Sequence, residues 1–173
     1  MPLTSAGERE AVTLAPLLSQ QKFALVETSP MERARRTAEL AGFHPVEDAD
    51  LMEWDYGELE GLTTQQVRLR YPGWTIWEGP WPGGEQPNQV GARARRVVER
   101  VQALDESAQA LVFAHGHILR VVAATWLGRA PQDGCMLELG TATVSVLGWE
   151  HGWPAVQRWN LPAPAGPGEP GQL

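Results

Sequence analysis

Three groups of side chains in this sequence have the types and spacing to handle an anion. The first lies in Thr28-Ser29-Pro30-Met31-Glu32-Arg33-Ala34-Arg35-Arg36-Thr37, where a short apolar run gives way to a Ser-x-x-Glu box that opens a helix. Arg33 falls in the first turn and adds a planar, permanently charged fork to a helix terminus that already favours anions. Arg35 and Arg36 read as ordinary surface charges. The second group is Val112-Phe113-Ala114-His115-Gly116-His117-Ile118-Leu119-Arg120. An apolar strand ending in His-Gly sets an imidazole at the strand's carboxyl end, and Gly116 lets the backbone approach a ligand. The third runs Leu51-Met52-Glu53-Trp54-Asp55-Tyr56-Gly57-Glu58-Leu59-Glu60-Gly61. Its alternating acidic and aromatic residues suit a loop that presses a carboxyl against a ring, raising its pKa so that it donates a proton.

Taken singly, each group also has an ordinary structural reading: a surface arginine, a histidine satisfied by a backbone carbonyl, an acidic loop. His115 and His117 form a His-x-His pair as well, but a metal there needs further ligands. His44 and His151 have no supporting spacing, so no metal site is expected.

The elements that must position these residues alternate along the chain. Ser5-Ala6-Gly7-Glu8 reads as a capping box for a helix that Pro16 kinks. Residues 23–26 have strand length, and Pro30 suits the first position of a helix reaching Ala41. Residues 47–61 read as loop, and Thr63-Thr64-Gln65-Gln66 starts a short helix. Residues 71–87 form a loop whose Trp74, Trp77 and Trp81 are placed to cover a site. A helix over 88–104, a strand over 110–114 and a helix over 118–127 follow. Residues 143–149 and 155–159 form two closing strands around His151-Gly152. This alternation predicts an α/β fold, three-layer α/β/α with a mainly parallel central sheet and ligands beyond the strands' carboxyl ends. One domain is expected over 1–161, with a flexible Pro/Gly-rich tail over 162–173.

Bulk properties narrow the partners. The 173 residues are 43% hydrophobic and 20% charged, with a net charge of −7. That sign argues against nucleic-acid and anionic-membrane binding, which need a basic face. The single cysteine, Cys135, permits neither an intrachain disulfide nor a cysteine zinc cage and fits a reducing compartment. No apolar run approaches the ~20 residues that span a bilayer. Nothing resembles a signal peptide, and a cytoplasmic location is expected.

Together the three motifs resemble the histidine phosphatase (phosphoglycerate-mutase-like) superfamily over nearly the whole chain. With Trp74-Thr-Ile-Trp77-Glu-Gly and Gly84-Glu85, they look most like the branch holding sedoheptulose-bisphosphatase-like enzymes and broad-specificity acid phosphatases. The resemblance implies that Arg33 clamps the transferring phosphoryl group, that His115 hydrogen-bonds its oxygens and that Glu53 is the general acid. It places Gly116, Tyr56 and His117 around the substrate. The implied activity is metal- and cofactor-independent hydrolysis of a small phosphorylated metabolite, a sugar or organic phosphate, through a phosphohistidine. A non-catalytic phosphate-binding relative is the alternative. A mutase fits less well, because the interval from Glu53 to His115 is short for one. The family's nucleophile sits in an Arg-His-Gly motif at the end of a first, central strand, ahead of a segment like Pro2-Leu3-Thr4-Ser5-Ala6-Gly7. That motif occurs nowhere here. The expectation is therefore that the coding frame continues upstream of Met1, and that the 173 residues alone are inactive.

Overall fold

The computed structural model describes residues 1–163. Three short parallel strands lie side by side: β1 (Leu25–Thr28), β2 (Val46–Glu47) and β3 (Ala110–Phe113), in the order β2-β1-β3. The register pairs Leu25 with Ala110 and Thr28 with Phe113, so β1 and β3 end level with each other. Beyond them, β4 (Thr143–Glu150) and β5 (Trp153–Pro162) form an antiparallel hairpin.

Helices cover both faces of the parallel sheet. On one face α1 (Ser5–Thr13), α2 (Ala15–Leu18) and α3 (Glu32–Leu40) belong with an apolar cluster of Leu14, Leu18, Ala38, Ala41 and Phe113. On the other, α5 (Pro87–Gln102) and α6 (Gly116–Trp126) contribute Val90, Ala94, Val97, Ile118 and Val121 to a larger cluster around the fully buried Leu51 and Trp54. The α5 helix presents Val90, Ala94, Val97 and Val98 at the three- and four-residue spacing of a buried stripe. The short α4 (Thr64–Arg70) starts where the sequence predicts, and a Thr63–Gln66 capping box opens it.

The expected single central sheet is instead two sheets. No ladder joins β3 to β4, although side-chain alternation puts both in one layer. Leu111 and Phe113 of β3, with Val144 of β4, pack in the first cluster. Val112 and Ala114, with Leu147 of β4, pack against the second. Both strands are thus sandwiched by the same two helical layers, yet among the described residues the edge of β3 away from β1 is unpaired. Backbone groups on such an edge lack the partners that a central strand has.

Local differences have simple causes. Thr4, not Ser5, caps α1, its hydroxyl accepting from the Gly7 amide at 3.1 Å. Pro16 lies in the first turn of a separate helix, where its missing N–H costs nothing, rather than kinking a longer one. The α3 helix starts at Glu32, leaving Pro30 outside it. The Ser29 hydroxyl accepts from the Met31 amide at 3.2 Å and caps no helix. Residues 47–61 are less irregular than expected, holding two 3-10 turns, Ala49–Leu51 and Gly57–Leu59. Pro162 pairs with Thr143, so the strand runs into the expected tail, and residues 164–173 lie outside the described residues. No helix among the described residues is long and apolar enough to cross a membrane.

The unpaired edge has a direct readout. By hydrogen exchange, the β3 amides not bonded to β1 are expected to lose protection at least about 100-fold faster than those bonded to it. Uniform protection along β3 would contradict an open edge.

Candidate active site

The site forms where β1 and β3 end. Each strand runs directly into a helix, and the level register brings the two junctions together. Ser29 and His115, separated by 86 residues, meet there with Oγ and Nε2 2.8 Å apart. The Ser29 oxygen already accepts from the Met31 amide, so its own hydrogen is free to donate to Nε2. That assignment leaves the imidazole proton on Nδ1. Burial and the nearby Arg33 guanidinium push His115 down to about 4, with Glu53 opposing them. At neutral pH His115 is a neutral donor.

Arg33 sits half-buried in the first turn of α3, as its motif predicts. Among the described residues its side chain has no ion-pair or hydrogen-bond partner. It contrasts with Arg35 and Arg36, which pair at the surface with Glu47 and with Glu8 and Glu39. A half-buried cation without a carboxylate, beside a neutral histidine, is a place for an anion.

Glu53 reaches the site from the loop before the second 3-10 turn. Its Oε1 accepts from the amides of Trp54 and Ile118, both at 3.0 Å, and its Oε2 from the His117 amide at 3.2 Å. The carboxylate therefore occupies the free N–H groups at the start of α6. Burial alone would raise its pKa. The interactions with His117 and the amides of Trp54 and Ile118 outweigh burial and hold it at about 2. His117 Nδ1 lies 3.7 Å from Oε2. This corrects the expectation of a raised pKa: burial desolvates Glu53, but His117 and the amides of Trp54 and Ile118 stabilise its charge more.

Tyr56 and His117 form a second layer. The Tyr56 hydroxyl lies 2.6 Å from His117 Nδ1. Burial and the Glu53 and Glu60 carboxylates push Tyr56 upward, so it stays protonated. The ring of Trp77 lies 5.3 Å from that of His117, and the Arg120 guanidinium stacks on Trp77 at 4.6 Å. Of the three tryptophans expected to cover the site, only Trp77 reaches it. Trp74 is buried with its indole N–H on the Pro80 carbonyl, and Trp81 stacks on Trp54. Gly116 is exposed, and a Cβ there would meet nothing within 4 Å, so the fold itself does not require glycine.

The structure thus brings Arg33, Glu53, Tyr56, His115 and His117 together, linked by the contacts and charge interactions above. The other two histidines lie elsewhere: His44 is exposed before β2, and His151 is in the β4–β5 turn. Sequence reasoning missed Ser29 as the partner of His115, because it read that serine as a helix cap.

An α/β fold whose arginine and histidine emerge from adjacent parallel strand ends, with a carboxylate beside them, defines a phosphate-handling class. Residues 1–162 match the histidine phosphatase superfamily (branch 1), and the chain belongs to it. It is 36% identical over 153 residues to the acid phosphatase of Mycobacterium tuberculosis, covering 87% of this chain and 75% of that protein. It is 33% identical over 167 residues to the sedoheptulose 1,7-bisphosphatase of Saccharomyces cerevisiae, spanning 78% of this chain and 62% of the yeast enzyme. Among solved structures, one of an open reading frame of Mycobacterium tuberculosis superposes with a TM-score of 0.89 at 34% identity, over 94% of this chain and 86% of that one. A mycobacterial glucosyl-3-phosphoglycerate phosphatase bound to inorganic phosphate superposes with a TM-score of 0.81 at 26% identity, over 94% and 88%.

The depressed pKa values of His115 and Glu53 contribute to the acid response of stability. Unfolding returns His115 to its ordinary value of 6.5 and Glu53 to 4.5, so the unfolded chain binds more protons below those values. Stability should fall as pH drops from 6.5 toward 4 through His115, and from 4.5 toward 2 through Glu53. Denaturant titrations across this range should show His115→Gln flattening the upper segment and Glu53→Gln the lower one. An unchanged profile in either variant would contradict the corresponding shift.

Proposed function

We propose that this site hydrolyses phosphate monoesters of small metabolites, a sugar or organic phosphate, through a phosphohistidine and without metal. The observation that carries the reading is Arg33, a half-buried cation without a carboxylate partner among the described residues, beside neutral His115 and the helix-bound carboxylate of Glu53. Arg33 neutralises the phosphoryl oxygens, and His115 donates to them as charge spreads. Glu53 is ionised without ligand. An arriving phosphate dianion is a like charge that raises its pKa, so Glu53 takes up a proton with the substrate. As the ester P–O bond breaks, that proton passes to the leaving alcohol and a P–N bond forms to the nucleophilic histidine. Water then attacks phosphorus, gives its proton to Glu53, and the P–N bond breaks to free phosphate and imidazole.

The nucleophile must approach from the side of β3 opposite β1. The unpaired β3 edge supports a further strand running there, between β3 and β4, with its carboxyl end beside His115. The reading assigns an Arg-His-Gly motif to that strand. Tyr56 and His117, bonded to each other under Trp77, line the side where the alcohol portion lies, and Gly116 leaves open backbone beside it. The relatives named as a sugar bisphosphatase and a glucosyl-phosphoglycerate phosphatase support substrates of that size.

The 173 residues alone are expected to give no measurable turnover of an aryl phosphate. With a strand bearing Arg-His-Gly joined ahead of Pro2, turnover should appear and survive a chelator. Arg33→Ala or His115→Ala should then each lower kcat by roughly 10²–10³-fold. Robust turnover by the 173 residues that chelation abolishes would overturn the reading in favour of a metal on His115 and His117.

A further inference from the structure

Arg93 lies on α5, outside every motif above. Its side chain is only 14% exposed. The guanidinium donates through Nη1 to the carbonyls of Asp50 at 2.7 Å and Met52 at 3.0 Å, and through Nη2 toward that of Glu53 at 3.5 Å. The same group forms a two-point ion pair with Glu85, Nε to Oε1 at 2.7 Å and Nη2 to Oε2 at 2.6 Å. Glu85 completes the enclosure. Its Oε2 accepts from the Asp55 amide, its own amide donates to the Asp55 carbonyl, and its carbonyl accepts from the Trp54 indole. Apart from the pairing itself and the helix bonds of the Arg93 backbone, the bonds of this pair among the described residues end on residues 50–55.

We infer that Arg93, held by Glu85, is a positioning residue that fixes the backbone of residues 50–55 so that the Glu53 carboxylate meets the N-terminus of α6. The geometry explains why a loop suffices to place an acid accurately. Glu53 has no helix or strand of its own. Its backbone is held from behind by a planar donor with several fixed directions, anchored in turn on the 16-residue α5. Crossing backbones lock the far end of the loop, since a Cβ on Gly57 would collide with Gly83 and Gly84. A lysine at position 93 keeps the charge for Glu85 but has no fork to bond several carbonyls at once. Both Glu85 oxygens are engaged, and Arg93 and the Asp55 amide hold its carboxyl below the usual carboxylate range against the effect of burial.

This inference rests on the assignment of Glu53 as the proton donor, and its test does not depend on turnover. Carbon-13 spectra of labelled glutamates in the 173-residue chain report the titration midpoint of Glu53, with exposed Glu58 as an internal control. The wild-type midpoint is expected near 2. Arg93→Lys should move it toward the ordinary value by at least about one pH unit as the bonds to the α6 amides loosen, leaving Glu58 unmoved. A drop in melting temperature with no movement of Glu53 would make Arg93 merely structural and overturn the inference. Should Arg93→Lys fail to fold, Glu85→Gln, which loosens the clamp but keeps the arginine, carries the same readout and is judged in the same way. Glu53→Gln in an active chain separates the two claims. It should lose about 10²–10⁴-fold on an alkyl phosphate and far less on nitrophenyl phosphate, whose leaving group needs no proton. Equal losses would refute Glu53 as the acid without bearing on how Arg93 holds its loop.

Discussion

The Glu53 carboxylate meets the amides of His117 and Ile118 at the first turn of α6, and much of the site follows from that contact. A helix start leaves N–H groups without intrahelical partners and carries partial positive charge, so it must be met by water, a side chain or a ligand. Glu53 meets it from a loop 64 residues away in sequence. In doing so it draws the acidic loop against the end of β3, brings Tyr56 to His117, and leaves Trp54 at the centre of the larger apolar cluster. The carboxylate balances the helix terminus, and Arg33 keeps its charge for something else.

That division of charge gives the site its chemistry. Arg33 has no carboxylate partner among the described residues, whereas Arg93, Arg96 and Arg100 on α5 are paired with Glu85, Asp50 and Glu27. Arginines on one scaffold thus serve opposite ends: those on α5 tie loops and strands to a helix, and the one at the β1–α3 junction stays free to bind. His115 is kept neutral by burial and by that free cation, so it donates a hydrogen bond without adding charge. On the proposed reading, an anion entering here gains Arg33 and disturbs Glu53, which would link phosphate binding to the uptake of a proton.

Features encoded by neighbouring residues were legible in the sequence. The run Val112–Ala114 into His115-Gly116, the helix start at Thr63-Thr64-Gln65-Gln66 and the turn at His151-Gly152 each declare an element within a few positions, and the structure contains all three. Contacts across the fold were not legible. Ser29 looked like a helix cap because nothing nearby shows that His115 will lie 2.8 Å from its hydroxyl. The pKa of Glu53 was expected to rise because its sequence neighbours are aromatic, while His117 and the Ile118 amide that help to lower it belong to another element. The division into two sheets follows from an edge of β3 that no local pattern marks. Arg93 reads in sequence as one charged position of an amphipathic helix, and only the fold shows the carbonyls it reaches.

The central claim is that an anion beside Arg33 changes the protonation of Glu53. Tungstate is a phosphate-shaped dianion that carries no proton of its own at neutral pH. Calorimetry of its binding in buffers of different ionisation enthalpy counts the protons taken up by the protein. The account predicts a net proton uptake on binding that is smaller in Glu53→Gln, with tungstate still bound. Tungstate binding with the same proton count in the wild-type chain and in Glu53→Gln would contradict it.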